Sequence, residues 1–490
     1  MDKHADDGVI HGIKKYLILF NVTLSTFMAT LDGSIVNIAL PVISGEFGVS
    51  ISSIQWVVTA YLLVISVLLL VWGRLSDLYG KKMIFASGFF VFALGSALCA
   101  LSRSLEMLVL FRILQAVGAS AMMALSQGIV TRIFPPNERG KALGITGVAV
   151  SLGSLTGPSL GGVLVRAAGW QSIFWINLPI GLLGLLLTLF LIPDQKPVRE
   201  NEDASDKKPF DLKGALLFIL AVLLFFTGLL SYQDGHISLL VAILMLVGSG
   251  LILALFIRTE KRTASPLIDL SLFRLYEFST GLGAAYLVFV ALNTTLLFMP
   301  FYLQYILKLN TLEAGILISF YPLATAIVAP ISGALSDRIT YKPLTVAGLL
   351  ISTAMLVLLS FLGVQSSRLH IALIMTLLGV GGALFQSPNN SSVMGAVPVT
   401  RLGIAGGINA LFRNLGLVSG TTFSVILFTF SSRLSINSMS GENGTVDAVQ
   451  FMKGFRIVLL FAAAVSLAAM LLSFIRATGK GRGIKASLKQ

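Results

Sequence analysis

The sequence is poor in the residues that most metal-binding and disulfide-bonded proteins require. It has one cysteine, Cys99, and four histidines among 490 residues, which excludes a disulfide within the chain and a thiolate metal cluster. Charged residues make up only 12% of the chain. The sequence contains no Gly-x4-Gly-Lys-Ser/Thr phosphate loop, no His-Glu-x-x-His pair and no hydrolase triad order. We therefore expect no ATP hydrolysis, no enzyme activity and no metal site.

Long apolar runs take the place of these features. Hydrophobic residues make up 56% of the chain, and the mean hydropathy is +0.90. Many of the runs exceed the roughly 18 residues that indicate a membrane-spanning helix. The sequence therefore predicts an all-α polytopic membrane protein with fourteen transmembrane helices.

The net charge of +13 could indicate a nucleic-acid partner, but the distribution of the charge indicates otherwise. When successive loops are assigned alternately to the two sides of the membrane, most Lys and Arg residues fall on the side that holds both termini. This is the positive-inside bias. We expect no nucleic-acid partner, and we predict a protein of the cell membrane with both termini in the cytoplasm.

The chain is internally duplicated. The matching residues lie about 260 positions apart and are Gly73–Asp77 with Gly333–Asp337, Pro136 with Pro398, Arg139 with Arg401, and Pro41 with Pro300. We predict two six-helix bundles, residues 1–200 and 266–490, with a cytoplasmic linker and an inserted two-helix hairpin at 201–265. Two membrane halves around a central cavity suit alternating access.

One carboxylate lies inside a predicted membrane helix. Asp32 is part of the apolar run between Tyr16 and Pro41. An ionised Asp at the centre of such a helix costs about 2.5–3.5 kcal/mol or more, so it usually faces a cavity or a partner. Ser25 and Asn21 lie on the same helical face. We predict a protonatable site in a transport path; the alternative is a buried residue with a structural hydrogen bond.

A short polar turn follows the second predicted helix. Residues Gly73–Lys82 read Gly-Arg-Leu-Ser-Asp-Leu-Tyr-Gly-Lys-Lys. Gly73 permits close helix approach, Gly80 permits a positive φ, and Lys81 is predicted to anchor at the lipid headgroups. We predict that this turn is part of a cytoplasmic gate. The alternative is a plain turn whose basic residues anchor at the headgroups.

Asp77 in this turn is predicted to pair with Arg139 or with a helix N-terminus. The duplication predicts a matching pair of Asp337 with Arg401. The turn resembles the signature loop of the major facilitator superfamily, although Leu78 stands where that family usually has Arg.

Arg112 and Gln115 in the fourth predicted helix resemble the Arg-x-x-Gln-Gly pattern of the same superfamily, with Ala116 replacing Gly. Arg112 and Asp32 are both expected roughly 8–14 Å below the outer surface, at about 1.5 Å per residue. In the superfamily fold both helices line the cavity. The resemblance therefore implies that the two residues interact, either as a proton switch or as a static ion pair.

The fifth predicted helix is rich in glycine. The spacing G-x8-G-x3-GP-x2-GG is formed by Gly144, Gly153, Gly157, Pro158, Gly161 and Gly162. This spacing resembles the motif of the superfamily's antiporters, and it favours export by exchange. The glycines let helices touch, and Pro158 is expected to bend the helix.

Three further segments resemble the fourteen-helix drug/proton antiporter family: Leu31–Pro41, Gln55–Tyr61 and Ile176–Gly181. Gly169–Ser172 departs from its usual Trp-Arg-Trp. The resemblance implies the major facilitator fold, protons as the coupling ion without another cofactor, and export of lipophilic, cationic small molecules. We expect a monomer surrounded by membrane lipids.

Polar residues from both halves are predicted to line the substrate cavity: Asn21, Ser25, Tyr61, Gln115, Asn293, Gln386, Asn389 and Arg413. The uncharged ones could equally link helices, at about 0.6 kcal/mol each. Arg413 needs a counter-ion or water at its depth.

Three functions fit these observations. The leading one is a proton-coupled multidrug exporter. The second is a dedicated transporter of one metabolite or lipid, in which Arg413 would hold an anionic group. The third is a membrane sensor or scaffold that transports nothing.

Overall fold

The structure is a computed structural model that describes residues 12–49, 51–54, 56–193, 210–233, 237–263, 266–432 and 448–478. Within these ranges the regular elements are helical and no strand is present. The α-helices are α1 (Ile13–Phe47), α2 (Ile51–Ile54), α3 (Trp56–Tyr79), α4 (Lys81–Ala100), α5 (Leu105–Ile133), α6 (Pro136–Ala168), α7 (Ser172–Trp175), α8 (Asn177–Leu191), α9 (Leu212–Gln233), α10 (Leu239–Glu260), α11 (Tyr276–Phe301), α12 (Thr311–Ile339), α13 (Tyr341–Ser360), α14 (Arg368–Gly395), α15 (Leu402–Ser432) and α16 (Ala448–Thr478).

Thirteen segments in the described ranges are long and apolar enough to cross a membrane, and the bent helix α6 makes a fourteenth. Its parts Pro136–Gly157 and Ser159–Ala168 meet at an angle of 45°. Pro158, which was predicted to bend this helix, lies at the junction, and its side chain is outside the described residues. Helices that are apolar on every side suit a bilayer, where lipid and neighbouring helices are both apolar. The predicted all-α polytopic membrane fold is thus confirmed, with thirteen candidate spans in the described ranges, or fourteen if α6 is one span.

The chain forms two compact units. The first comprises Met1–Leu270 with Val397–Leu411, and the second comprises Ser271–Ala396 with Phe412–Gln490. The first unit holds six long helices (α1, α3–α6 and α8), the hairpin α9–α10 and the first residues of α15. The second holds α11–α14, α16 and the rest of α15. The hairpin lies in the first of these units, and the predicted boundaries at 200 and 266 stay a prediction.

The outer part of α1 packs in the core of the first unit. Ile35 and Val36 are fully buried in a cluster that includes Trp170 and Phe174. The indole Nε1 of Trp170 donates a hydrogen bond of 2.8 Å to Glu46 near the end of α1. These contacts fix the segment that follows Asp32.

The core of the second unit combines aliphatic side chains with several aromatic contacts. Tyr302 stacks on Phe455, and Phe298 packs on Phe428, with ring centroids 4.8 Å apart in each pair. Pro300 lies inside α11, and a π-helical turn follows at Tyr302–Ile306.

Candidate functional site

Asp32 is the centre of a buried polar cluster in the first unit. Its side chain and that of Arg112 have no exposed surface. Oδ2 accepts a hydrogen bond of 2.6 Å from Arg112 Nη1. Oδ1 accepts two bonds of 2.9 Å, from Gln115 Nε2 and Asn177 Nδ2. Three helices, α1, α5 and the start of α8, thus meet at one carboxylate, and Ser96 of α4 accepts a hydrogen bond of 3.1 Å from Asn177.

Arg112 is held by more than its ion pair. Nε donates to the carbonyl of Val57 at 3.2 Å, and Nη1 also donates to Gln115 Oε1 at 2.7 Å. The guanidinium lies over the ring of Tyr61, 4.0 Å from its centroid, in cation–π contact. Because these contacts do not involve Asp32, Arg112 has partial support even if the carboxylate is neutralised.

Three buried polar atoms of the cluster have no hydrogen-bond partner among the described residues: Arg112 Nη2, the Tyr61 hydroxyl and Asn177 Oδ1. Buried polar groups are nearly always paired, since an unpaired one costs about 1–3 kcal/mol. Unmet hydrogen-bonding capacity around one ion pair is typical of a site that rearranges or takes up a proton or water.

The glycine motif of α6 packs against the segment of α1 that carries Asp32. A Cβ at Gly153 would stand 2.9 Å from the Phe27 carbonyl. A Cβ at Gly157 would overlap the side chain of Ser34, and one at Gly161 would stand 2.7 Å from Ile35 Cγ1. Gly162, also part of the motif, has open space at this position, and Gly144 lies earlier in α6. The spacing of four residues thus places three glycines along one close helix contact.

Asn21 and Ser25 are fully buried, as their place on the face of Asp32 predicts, but neither bonds to Asp32. Asn21 forms a hydrogen bond of 2.7 Å with Thr188 on α8. Ser25 donates to the carbonyl of Val22 at 2.8 Å within its own helix. In this structure they therefore support the packing of α1.

Asp77 binds a helix N-terminus, the second of the two predicted partners. Its two carboxylate oxygens accept hydrogen bonds of 2.9 Å from the backbone amides of Gly403 and Ile404 in the first turn of α15. Lys81 Nζ is 3.5 Å away. Arg139, the other predicted partner, lies in the first turn of α6, and its pairing with Asp77 stays a prediction.

Three other residues of this loop have defined roles in packing. Gly73 lies so close to α15 that a Cβ would stand 2.7 Å from the Gly403 carbonyl. Gly80 has a φ of +96°, the positive value that the sequence predicts. Lys81, predicted to anchor at the headgroups, is instead only 7% exposed, because it turns inward to Asp77.

Arg401, predicted to pair with Asp337, forms its ion pair with Asp269 in the first unit. Asp269 follows Ile268, whose backbone amide donates a hydrogen bond to Glu260 at the end of α10. Asp337 lies in the last turn of α12 in the second unit, and its pairing with Arg401 stays a prediction.

Two of the predicted cavity residues of the second unit join helices. Asn293 Nδ2 donates to the Leu417 carbonyl at 2.8 Å and to the Thr421 hydroxyl. Asn389 donates to the carbonyl of Gly281 at 3.1 Å and accepts from Arg476. These amides act as interhelical links, the alternative that the sequence left open.

Gln386 and Arg413 differ from them. Both are partly exposed, and neither forms a hydrogen bond or an ion pair with any residue in the described ranges. A guanidinium inside a membrane span costs free energy unless it has a counter-ion or water. Arg413 therefore has capacity to bind a partner from outside the chain.

Sequence reasoning missed two members of these clusters. Asn177 belongs to the segment Ile176–Gly181 that the sequence singles out, but the sequence does not predict its hydrogen bond to Asp32. Arg476, at the end of α16, is 2% exposed and donates to Asn389 at 2.7 Å and to Ser392 at 2.5 Å. An arginine at the end of a span ordinarily indicates an interface anchor, so no local signal pointed to this burial.

Comparison with known proteins adds independent evidence. The chain is 37% identical over 418 residues to the riboflavin transporter RibZ of Clostridioides difficile, a match that covers 85% of this chain and 89% of RibZ. It is also 37% identical over 421 residues to the multidrug resistance protein Stp of Mycobacterium tuberculosis, covering 86% of this chain and 76% of Stp.

The crystal structure of the human organic anion transporter MFSD10 shares the fold, with a TM-score of 0.67 at 16% identity, covering 94% of this chain and 99% of that one. The family model described as Major Facilitator Superfamily matches residues 22–421 and 282–490. The chain therefore belongs to the major facilitator superfamily, a family of membrane transporters.

Proposed function

We propose that the protein is a proton-coupled antiporter that exports lipophilic small molecules by alternating access. The observation that carries the proposal is the fully buried Asp32–Arg112 pair inside a membrane-spanning unit. The glycine motif packed beside Asp32 and the multidrug relative Stp support export. The positive-inside bias supports a place in the cell membrane with cytoplasmic termini.

The proton step follows from the contacts of Asp32. Protonation of the carboxylate removes the negative charge that Arg112 neutralises. Arg112 then keeps the Val57 carbonyl, the Gln115 oxygen and the Tyr61 ring, but it loses its counter-ion. A rearrangement that gives Arg112 water or a substrate group then becomes favourable. Binding of a proton and rearrangement of the helices are thereby linked.

The available energy is sufficient for such exchange. One charge moved across about 100 mV is worth roughly 2.3 kcal/mol, and each pH unit of gradient adds about 1.4 kcal/mol per proton. Exchange of one proton for a neutral compound uses both contributions. Exchange for a monovalent cation moves no net charge, so only the pH gradient then contributes.

The test is flux in proteoliposomes with an imposed pH gradient and a panel of lipophilic cations and neutral dyes. We expect pH-driven flux from the wild type and none from Asp32→Asn. Glu106→Gln is the matched control, because Glu106 is an exposed acid in the first turn of α5; it is expected to transport normally. Loss of flux in both variants, or in neither, contradicts the role of Asp32.

A second candidate is a dedicated transporter of one metabolite. The unpartnered Arg413 favours it, because a guanidinium binds anionic or oxygen-rich groups well. The likeness to RibZ makes riboflavin the first compound to test. Tight, saturable uptake of riboflavin that Arg413→Ala abolishes, together with no dye flux, would favour this candidate over multidrug export.

A further inference from the structure

Two carboxyl groups meet at the base of the inserted hairpin. Asp211 directly precedes α9, and Glu260 is the last residue of α10. Glu260 is 3% exposed. The two groups lie within hydrogen-bonding reach of each other. Yet Asp211 Oδ2 and Glu260 Oε1, both buried, have no partner among the described residues, because neither is a donor while both groups are ionised.

The other oxygen of each group is already engaged, and this orients the pair. Asp211 Oδ1 accepts a bond of 2.8 Å from the amide of Gly214. Glu260 Oε2 accepts a bond of 2.9 Å from the amide of Ile268. Gly214 makes room for the meeting, since a Cβ there would overlap both free oxygens. The free oxygens are therefore held together by the backbone on two sides.

No cation among the described residues forms an ion pair with either carboxyl group. Arg74 on the packed helix α3 is near enough to interact with Glu260, but it interacts also with Asp77, Asp269 and Arg401. The remaining charged residues of the hairpin ends are exposed, and they are Lys213, Arg258, Lys261 and Arg262. Two adjacent carboxylates, Glu260 buried and Asp211 half-buried, with one shared cation nearby repel each other.

We propose that Asp211 and Glu260 bind one proton between them, which makes the hairpin base a second proton-binding site, separate from Asp32. A proton on one group converts it into a donor to the other. That single hydrogen bond satisfies both free oxygens and removes the repulsion, as in other carboxyl pairs that share a proton. The proposal does not depend on which compound is transported.

The site is connected to the loop between α3 and α4 by a short path. Ile268, which binds Glu260, is followed by Asp269, the ion-pair partner of Arg401. Shortly after Arg401, the backbone amides of Gly403 and Ile404 in the first turn of α15 bind Asp77. Loss of the shared proton drives Glu260 and Asp211 apart and thereby loosens the Ile268 contact first.

The direct test is infrared difference spectroscopy of the full-length purified protein during a pH titration. A protonated carboxylic acid has a carbonyl band that a carboxylate lacks. We expect a band that persists above the ordinary titration range of carboxyl groups, about pH 4, and disappears as the pH rises further. Glu260→Gln and Asp211→Asn should each remove it, whereas Asp32→Asn should leave it. Glu138→Gln is the matched control, since Glu138 is paired with Lys15 at 2.5 Å.

Thermal unfolding provides a second measurement. Gln at position 260 keeps an acceptor for Ile268 and gains an N–H for Asp211, so it mimics the protonated state. The folded wild type holds the proton more tightly than the unfolded chain, so its unfolding temperature should fall as the pH rises. Glu260→Gln should lack that fall and unfold at a higher temperature than the wild type at high pH.

Three results would overturn the proposal. The first is a carbonyl band that both variants retain. The second is destabilisation by Glu260→Gln at every pH, which would mean that the negative charge itself is required. The third is a rise of the wild-type unfolding temperature on adding Mg²⁺ or Na⁺ that both variants lose, which would mean that a metal cation joins two ionised carboxylates. Asp211→Asn keeps the test decisive if Glu260→Gln does not fold.

Discussion

Replacement of Asp32 by Asn tests the buried cluster most directly, because it keeps the size of the side chain and removes its charge. The carboxylate accepts three hydrogen bonds, from Arg112, Gln115 and Asn177. In Asn one oxygen becomes an NH₂ group. Whichever way the amide turns, this NH₂ group then faces at least one donor that previously had an acceptor.

The magnitude follows from the burial of Arg112. A guanidinium with no exposed surface loses its counter-ion, and removal of one partner of a buried ion pair costs about 3–5 kcal/mol. Arg112→Met in the same chain removes the unpaired cation and fills similar volume. The double variant should therefore recover much of the loss, because replacement of a whole buried pair by apolar groups is often close to neutral.

The assay compares thermal unfolding of the wild type, both single variants and the double variant in one detergent. Both single variants should unfold at clearly lower temperatures, and the double variant should lie nearer the wild type. Neither variant that lacks Asp32 should show pH-driven flux, although binding of a neutral dye should persist. Strictly additive destabilisation would refute the energetic coupling of the pair, and full pH-driven flux by Asp32→Asn would refute its role as the proton carrier.

Three further variants test contacts elsewhere in the chain. Gly157→Leu should overpack the contact of α6 with α1 and abolish coupled flux while circular dichroism still reports a folded helical protein; normal flux would contradict this. Asp77→Asn should speed hydrogen exchange several-fold at the amides of Gly403 and its neighbour and slow transport, so unchanged exchange would count against the contact. Arg476→Lys, which cannot reproduce the two-armed contact with Asn389 and Ser392, should lower the free energy of unfolding by about 1–3 kcal/mol, and an unaltered unfolding temperature would refute that estimate.

The features that follow from helix length and depth were predictable from the sequence. Counting residues from the helix ends places Asp32 and Arg112 at similar depth, and the structure joins them at 2.6 Å. The partner Asn177 was not predictable in this way. Which side chain of a helix meets a neighbour depends on the rotation of that helix about its axis, and a helix that is apolar all round does not specify that rotation.

Charged residues near helix ends were the least predictable. Lys81, Arg476 and Glu260 each lie at the end of a span, where long charged side chains ordinarily extend to the headgroups. All three are buried, at 7%, 2% and 3% exposure. The partners of Arg476 are distant in sequence and Glu260 accepts from the backbone amide of Ile268, so local composition carries no record of them; Lys81 turns to Asp77, only four residues away.

The two repeats share their helix order but differ in polar contacts, and the difference bears on where coupling resides. In the first unit Asn21 of α1 bonds to Thr188 of α8. About 260 residues later α11 has Gly281, and a Cβ there would stand 2.9 Å from the guanidinium of Arg476. Because Gly281 has no side chain, the guanidinium of Arg476 fits beside α11. The matching position of α1 is occupied by the side chain of Asn21.

At the depth of Asp32 the charged residue lies in the first unit and its counterpart in the second unit is neutral. The matching region of α11 holds the neutral Asn293, which is committed to Leu417 and Thr421. Among the described spans, a mid-membrane acid paired with a cation therefore occurs in α1 alone. Since α1 lies between the glycines of α6 and the guanidinium of Arg112, a change in the charge of Asp32 acts on a helix that is in close contact with α6. The proposed proton step therefore predicts motion of α1 within the first unit, whatever compound is carried.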